Sequence, residues 1–181
     1  MSADLAAASG RSRSKQILAA ALNKIKTGVT KAKSQINKPA QGAKTVQAAV
    51  LSLHHFRSSL NSYAQAGHID DSTSAKLRSK SENSINLLQS AFAILAARAD
   101  QSYSSRRLDN LSTLVSRQTA KVEQSAAKSS QDKTFAALAS LAAAADKNQA
   151  DSAKISGNTP TAYINYISAK MYLSETLSSL R

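Results

Sequence analysis

Apolar residues recur along this chain at intervals of three and four and nowhere sustain an alternation with polar ones, so the sequence predicts helices throughout and no strand. The clearest case is Ser14 to Asn37, where Leu18, Leu22, Ile25, Val29, Ala32 and Ile36 form a heptad-like seam. Gly28 lies inside that helix, where glycine costs about 1 kcal/mol relative to alanine, and a bend is expected there. Lys38-Pro39-Ala40-Gln41-Gly42 carries both breakers and marks the first boundary. A second helix is predicted over 43–66 through Val46, Val50, Leu53, Phe56, Leu60 and Tyr63, stopped by Gly67. After a turn at His68-Ile69-Asp70, Asp71 or Ser72 caps a third helix that collects Leu77, Ile85, Leu88, Phe92, Leu95 and Ala99.

Ser104 or Ser105 begins a fourth helix with Leu108, Leu111, Val115 and Val122 inward. A fifth starts at Asp132, and its apolar positions read as Phe135, Leu138, Leu141, Ala142 and Ala145, with Gly157 closing it. Thr159-Pro160 opens the last helix, since proline at the first helical position loses only an N–H that would have no partner. That helix carries Tyr163, Tyr166 or Ile167, Leu173, Leu177 and Leu180. Met1 to Ser12, small and polar, reads as a flexible arm. The expected fold is therefore all-α, an antiparallel helical bundle of five to six helices with a basic amphipathic N-terminal helix. The expected organisation is a flexible basic arm over 1–13, the basic helix and linker over 14–42, and the bundle over 43–181. Short connections favour antiparallel neighbours.

Charge changes this picture most. Lys and Arg total 24 against 11 Asp and Glu, a net charge of +13, which points to polyanionic partners rather than to a fold. Residues 1–44 hold nine basic and one acidic side chain, so the excess is mainly N-terminal. The candidate nucleic-acid contacts are Arg11, Arg13, Lys15, Lys24, Lys26, Lys31, Lys33 and Lys38, with Arg107, Arg117, Lys121 and Lys128 as a second patch. The first helix has no aromatic residue on which a base could stack, so the expected contact is to the phosphate backbone and independent of sequence. The same helix also reads as a basic amphipathic segment for an anionic membrane surface, though without Phe or Trp to anchor it. The Ser-, Ala- and Arg-rich start shares features with an organellar transit peptide, against which lysine dominates once the helix begins.

Composition removes several chemistries. With no Cys there is no disulfide, thiolate metal site or thiol nucleophile. Aromatic residues are 4% and Trp is absent, so the core must rest on Leu, Ile, Val and much Ala. No apolar run is long enough to span a bilayer, and the chain reads as soluble or peripheral. His54 and His55 are adjacent and diverge by about 100° on a helix, and His68 lies beyond the glycine stop; no metal site is expected from them. Asp70 and Asp71 read as turn or capping carboxylates. Neither a G-x-S-x-G nor a phosphate-binding glycine loop occurs. Asn110-Leu111-Ser112 matches a glycosylation sequon but lies on a predicted helix. Tyr163, Tyr166 and Tyr172, with Met171, read as core.

The function expected from these features is non-enzymatic, with no cofactor. The chain reads as a structural or assembly protein, intracellular or from a virion- or nucleoid-like particle. It would bind nucleic-acid backbone, or another polyanion, and self-associate as a homo-oligomer through Leu18, Leu22, Ile25, Val29 and Ile36. The alternative is a helical protein–protein interaction module, such as a secreted effector, filament subunit or adhesin, whose basic N-terminus is a docking or export arm.

Overall fold

The computed structural model describes residues 1–8, 10–128 and 134–180. Among these, every regular element is helical: α1 Ser2–Ala7, α2 Ser12–Ser34, α3 Pro39–Gln65, α4 Asp71–Arg98, α5 Ser105–Lys128, α6 Thr134–Ile155 and α7 Thr159–Ser179. The expected start of a helix at Asp132 lies outside the described residues. No helix among the described residues is long and apolar enough to cross a membrane. The chain forms two compact units, Met1–Leu88 and Gln89–Arg181, with the division inside α4.

In the first unit α2 packs on α3. Leu18, Leu22 and Ile25 from α2, and Val46, Val50, Leu53, Phe56 and Leu60 from α3, are buried. Both helices thus place their three-four stripes inward, as the pattern dictates. Gly28 does not break α2. A Cβ there would lie 3.9 Å from the Ala49 Cβ, ordinary contact distance, and nothing else would be close. Gly28→Ala should therefore raise the unfolding free energy by about 0.5–1 kcal/mol, since glycine carries the larger backbone entropy cost; urea denaturation checks this, and a loss of stability would mean that α2 and α3 need the bare backbone. Lys38 takes the N-cap place of α3 with Pro39 in the first turn, and Gly67, at φ 67°, lies just beyond its end. The cap of α4 is Asp70 rather than Asp71 or Ser72, its carboxylate accepting the Thr73 N–H at 2.8 Å.

The N-terminal segment is a short docked helix where composition reads as an arm. Leu5 is buried, and the Lys15 ammonium donates to the Ala8 carbonyl at 2.8 Å. The Lys80 ammonium pairs with Asp4 at 2.8 Å, and hydrogen bonds from Lys80 and the terminal amine hold that carboxyl down at about 2. Gly10 makes an isolated bridge to Ile69. Its φ is +140° and a Cβ would sit 2.1 Å from the His68 carbonyl oxygen, so the approach requires glycine. Buried Leu5 and Ala8, the Lys80–Asp4 and Lys15–Ala8 contacts and the close approach of Gly10 to His68 together seat a segment whose composition is otherwise that of a loop.

In the second unit α7 is packed by α6 and α5 and is buried on nearly all sides, from Ala162, Ile164 and Tyr166 through Ala169, Tyr172 and Leu173 to Thr176. A helix enclosed in this way shows little amphipathic contrast. The inward face of α6 differs from the one its leucines suggest. Ala136, Ala139, Ala143, Ala150 and Ala153 are buried, while Leu138 and Leu141 are exposed. Alanine side chains let the backbones of α6 and α7 approach closely along their length, and bulkier leucines at those positions would hold them apart. The end of α4 turns through Asp100, at φ 51°, with the Gln101 N–H returning to the Ala96 carbonyl at 2.9 Å.

Candidate nucleic-acid interface

The basic residues expected to meet phosphate are sorted by the fold into three groups. Lys24, Lys26, Lys31 and Lys33 project from α2 and are exposed, as are Arg11 at its N-cap, Arg13 in its first turn and Lys38 at the start of α3. Lys15 is half-buried and spends its ammonium on Ala8. On α5, Arg107, Arg117, Lys121 and Lys128 are all exposed, but Arg107 is also held against the chain's own aromatic rings. Its guanidinium lies 5.3 Å from the Tyr103 ring centre and 4.7 Å from that of Tyr163, and it donates to the Tyr163 hydroxyl at 3.1 Å. The two rings are themselves stacked, 4.0 Å apart. Burial raises the Tyr103 pKa, with the Tyr163 hydroxyl adding to the rise and Arg107 opposing it. Arg106, exposed beside it, joins the outward basic line of α5 instead; at 100° per residue it falls within about 20° of Arg117, a relation the seven-residue line through Arg107 conceals.

The residues expected to mediate self-association are mostly consumed within the first unit. Leu18, Leu22 and Ile25 are buried and Val29 is half-buried; Ile36, beyond the end of α2, is 52% exposed. The apolar side of α2 is therefore committed to the chain's own core, and its outward side is what remains for a partner. That side carries no acidic residue from Ser12 to Ser34. The lysines also follow a geometry. Arg13, Lys24 and Lys31 fall in one row and Lys15, Lys26 and Lys33 in another, about 160° apart around the helix at 100° per residue. Asn23, Thr27, Thr30 and Ser34, all exposed, run between the two rows. An open groove on this surface is lined by these four residues with Lys26 and Lys31.

The histidines do not converge. His54 is buried, and burial first, then the positive charges of Arg57 and His55, depress its pKa to about 3. His55 is exposed. His68 stacks on Tyr63 with ring centres 6.0 Å apart, and its Nδ1 lies 3.2 Å from the Ser14 hydroxyl. Among the described residues no three His, Cys, Asp or Glu side chains stand together where they could hold a metal ion. Comparison of the chain with protein-family models, with curated proteins and with solved structures finds no match.

Proposed function

We propose that this chain is a non-enzymatic structural or assembly protein, a component of a virion- or nucleoid-like particle, that binds nucleic-acid backbone through α2. In this reading α2 is the basic outer helix of the first unit, packed on α3. The observation that carries the reading is the division of α2: its apolar stripe is buried with α3, and its outward surface carries five exposed basic residues, Arg13, Lys24, Lys26, Lys31 and Lys33, and no acidic one. A merely solvated helix would be expected to balance lysine with glutamate. The same division argues against a membrane surface as the partner, because an interfacial helix must give its apolar side to lipid, and Leu18, Leu22 and Ile25 are already covered.

The test is a salt titration of binding between the full chain and non-specific duplexes. Binding should weaken linearly on a log–log plot, with a slope of about −0.9 per neutralised phosphate on DNA. Absence of binding at low salt would end this reading.

Self-association, in the same proposal, moves from the α2 seam to the outward face of α6. Leu138 and Leu141 are 53% and 67% exposed there, beside exposed Ala137, Ala144 and Ala145. Thr134 to Ala145 contains no charge, so two copies of a chain of net +13 can meet along it without opposing lysines. Changing both Leu138 and Leu141 to Gln should abolish concentration-dependent association in sedimentation equilibrium while leaving helix content intact. If the parent chain stays monomeric at high concentration, the face belongs to the alternative function, a protein–protein interaction module, recognised by partner binding that survives high salt.

A further inference from the structure

We infer that α2 seats in the major groove of B-form DNA, with Asn23, Thr27 and Thr30 toward the base edges and the two lysine rows reaching the phosphates on either side. This rests on the proposed nucleic-acid binding and goes beyond backbone contact alone. The argument is one of shape and chemistry on a single helix. The strip between the rows is low: Ala20, Thr27, Thr30 and Ser34 are small, and Asn23 is the longest side chain from there to the helix end. Along this stretch the two flanking rows are Lys24 with Lys31 and Lys26 with Lys33, all exposed and long. A low ridge between two sets of long cationic arms matches a groove floor between two phosphate strands. The B-form major groove, about 12 Å wide, admits an α-helix, and the strip from Asn23 to Ser34 runs about 16 Å along the axis, enough for one passage of the groove.

The side chains in the strip are those that read base edges. Asparagine pairs with the N6 and N7 edge of adenine, and threonine offers a hydroxyl to hydrogen-bond partners and a methyl to thymine. The Thr27 and Ser34 hydroxyls donate within the helix, to the Asn23 carbonyl at 3.0 Å and the Lys31 carbonyl at 2.8 Å, which leaves their oxygens facing outward as acceptors. No acidic residue of α2 opposes the approach. The major groove of A-form RNA is too deep and narrow for a helix to enter, so this geometry selects DNA.

The test compares binding of the full chain to a DNA duplex and to an RNA duplex of the same sequence at matched salt, with dimethyl sulfate protection of guanine N7 as the groove-specific readout. We expect at least tenfold tighter binding to DNA and protected N7 positions. A bulky substitution, Thr27→Tyr, on the exposed strip should bring DNA affinity down toward the RNA value without loss of helix content. Equal affinity for both duplexes with N7 unprotected would overturn groove docking while leaving phosphate binding standing. Failure to bind either duplex would remove both.

Discussion

Replacing Lys24, Lys26, Lys31 and Lys33 together by glutamine should weaken duplex DNA binding roughly a thousandfold at about 0.1 M monovalent salt, since four phosphate contacts would no longer release counterions. The log–log salt slope should become shallower by about 3 to 4. Both effects come from side chains that are exposed and that take no part in the packing of α2 on α3, so circular dichroism and thermal midpoint should stay close to those of the parent. The slope distinguishes this from a general loss of fold, which would reduce affinity without a proportionate change in salt dependence. If the slope is unchanged by the fourfold substitution, the phosphate contacts belong to Arg106, Arg117, Lys121 and Lys128 on α5. Charge removal on α5 alone would then reproduce the expected loss.

Acidification should destabilise the first unit through His54. In the unfolded chain this imidazole takes up a proton near pH 6.5, but in the fold it does so only at about 3. Between those values the unfolded state binds more protons, so stability falls as pH falls. The contribution of neutral, buried His54 is fully present above pH 6.5, is lost progressively below it and levels off beneath pH 3. At about pH 4.5 the loss is of order 3 kcal/mol, at 1.36 kcal/mol per pKa unit. Urea denaturation across this range, comparing the parent with His54→Gln, isolates the term. The variant should show a shallower acid limb by up to one proton, whatever its stability at neutral pH. Equal slopes would mean that His54 is protonated within the fold or already shielded in the unfolded chain.

The candidate interface was legible in part because charge and helical spacing are local. Lysine at positions 24, 26, 31 and 33, with no glutamate among them, is exposed in the structure: with Leu18, Leu22 and Ile25 inward, Lys24 and Lys31 fall well away from the buried stripe, and Lys26 and Lys33 flank it. Arg107 and Lys15 were not separable from that set by sequence. Each is a long cation near other cations, and what distinguishes them is a pair of stacked rings around the guanidinium of Arg107 and the carbonyl of Ala8 at the ammonium of Lys15. Neither contact follows from spacing, since Arg107 and Tyr163 are brought together from α5 and α7. The polar strip of Asn23, Thr27, Thr30 and Ser34 was present in the same periodicity as the lysines. It gains meaning only when the opposite side of α2 is known to be covered, for then the strip is the centre of the outward surface.

For the fold, stopping and starting signals are short-range, so they can be read from the chain. Pro39 in the first turn of α3, Gly67 after it, Pro160 at the start of α7 and Gly157 before it all act through φ restriction or freedom within a few residues. Helix type and most boundaries follow from them and from the three-four stripes. Packing choices are long-range. The sequence of α6 offers two faces, one leucine and one alanine, and hydrophobicity alone favours burying leucine. The structure buries alanine, because closeness to α7 along its length adds many small dispersion contacts and a few large side chains would forfeit them. The docking of α1 and the position of Gly10 were likewise settled at a distance, by the burial of Leu5 and by the backbone at His68 and Ile69 that only a glycine at position 10 can approach.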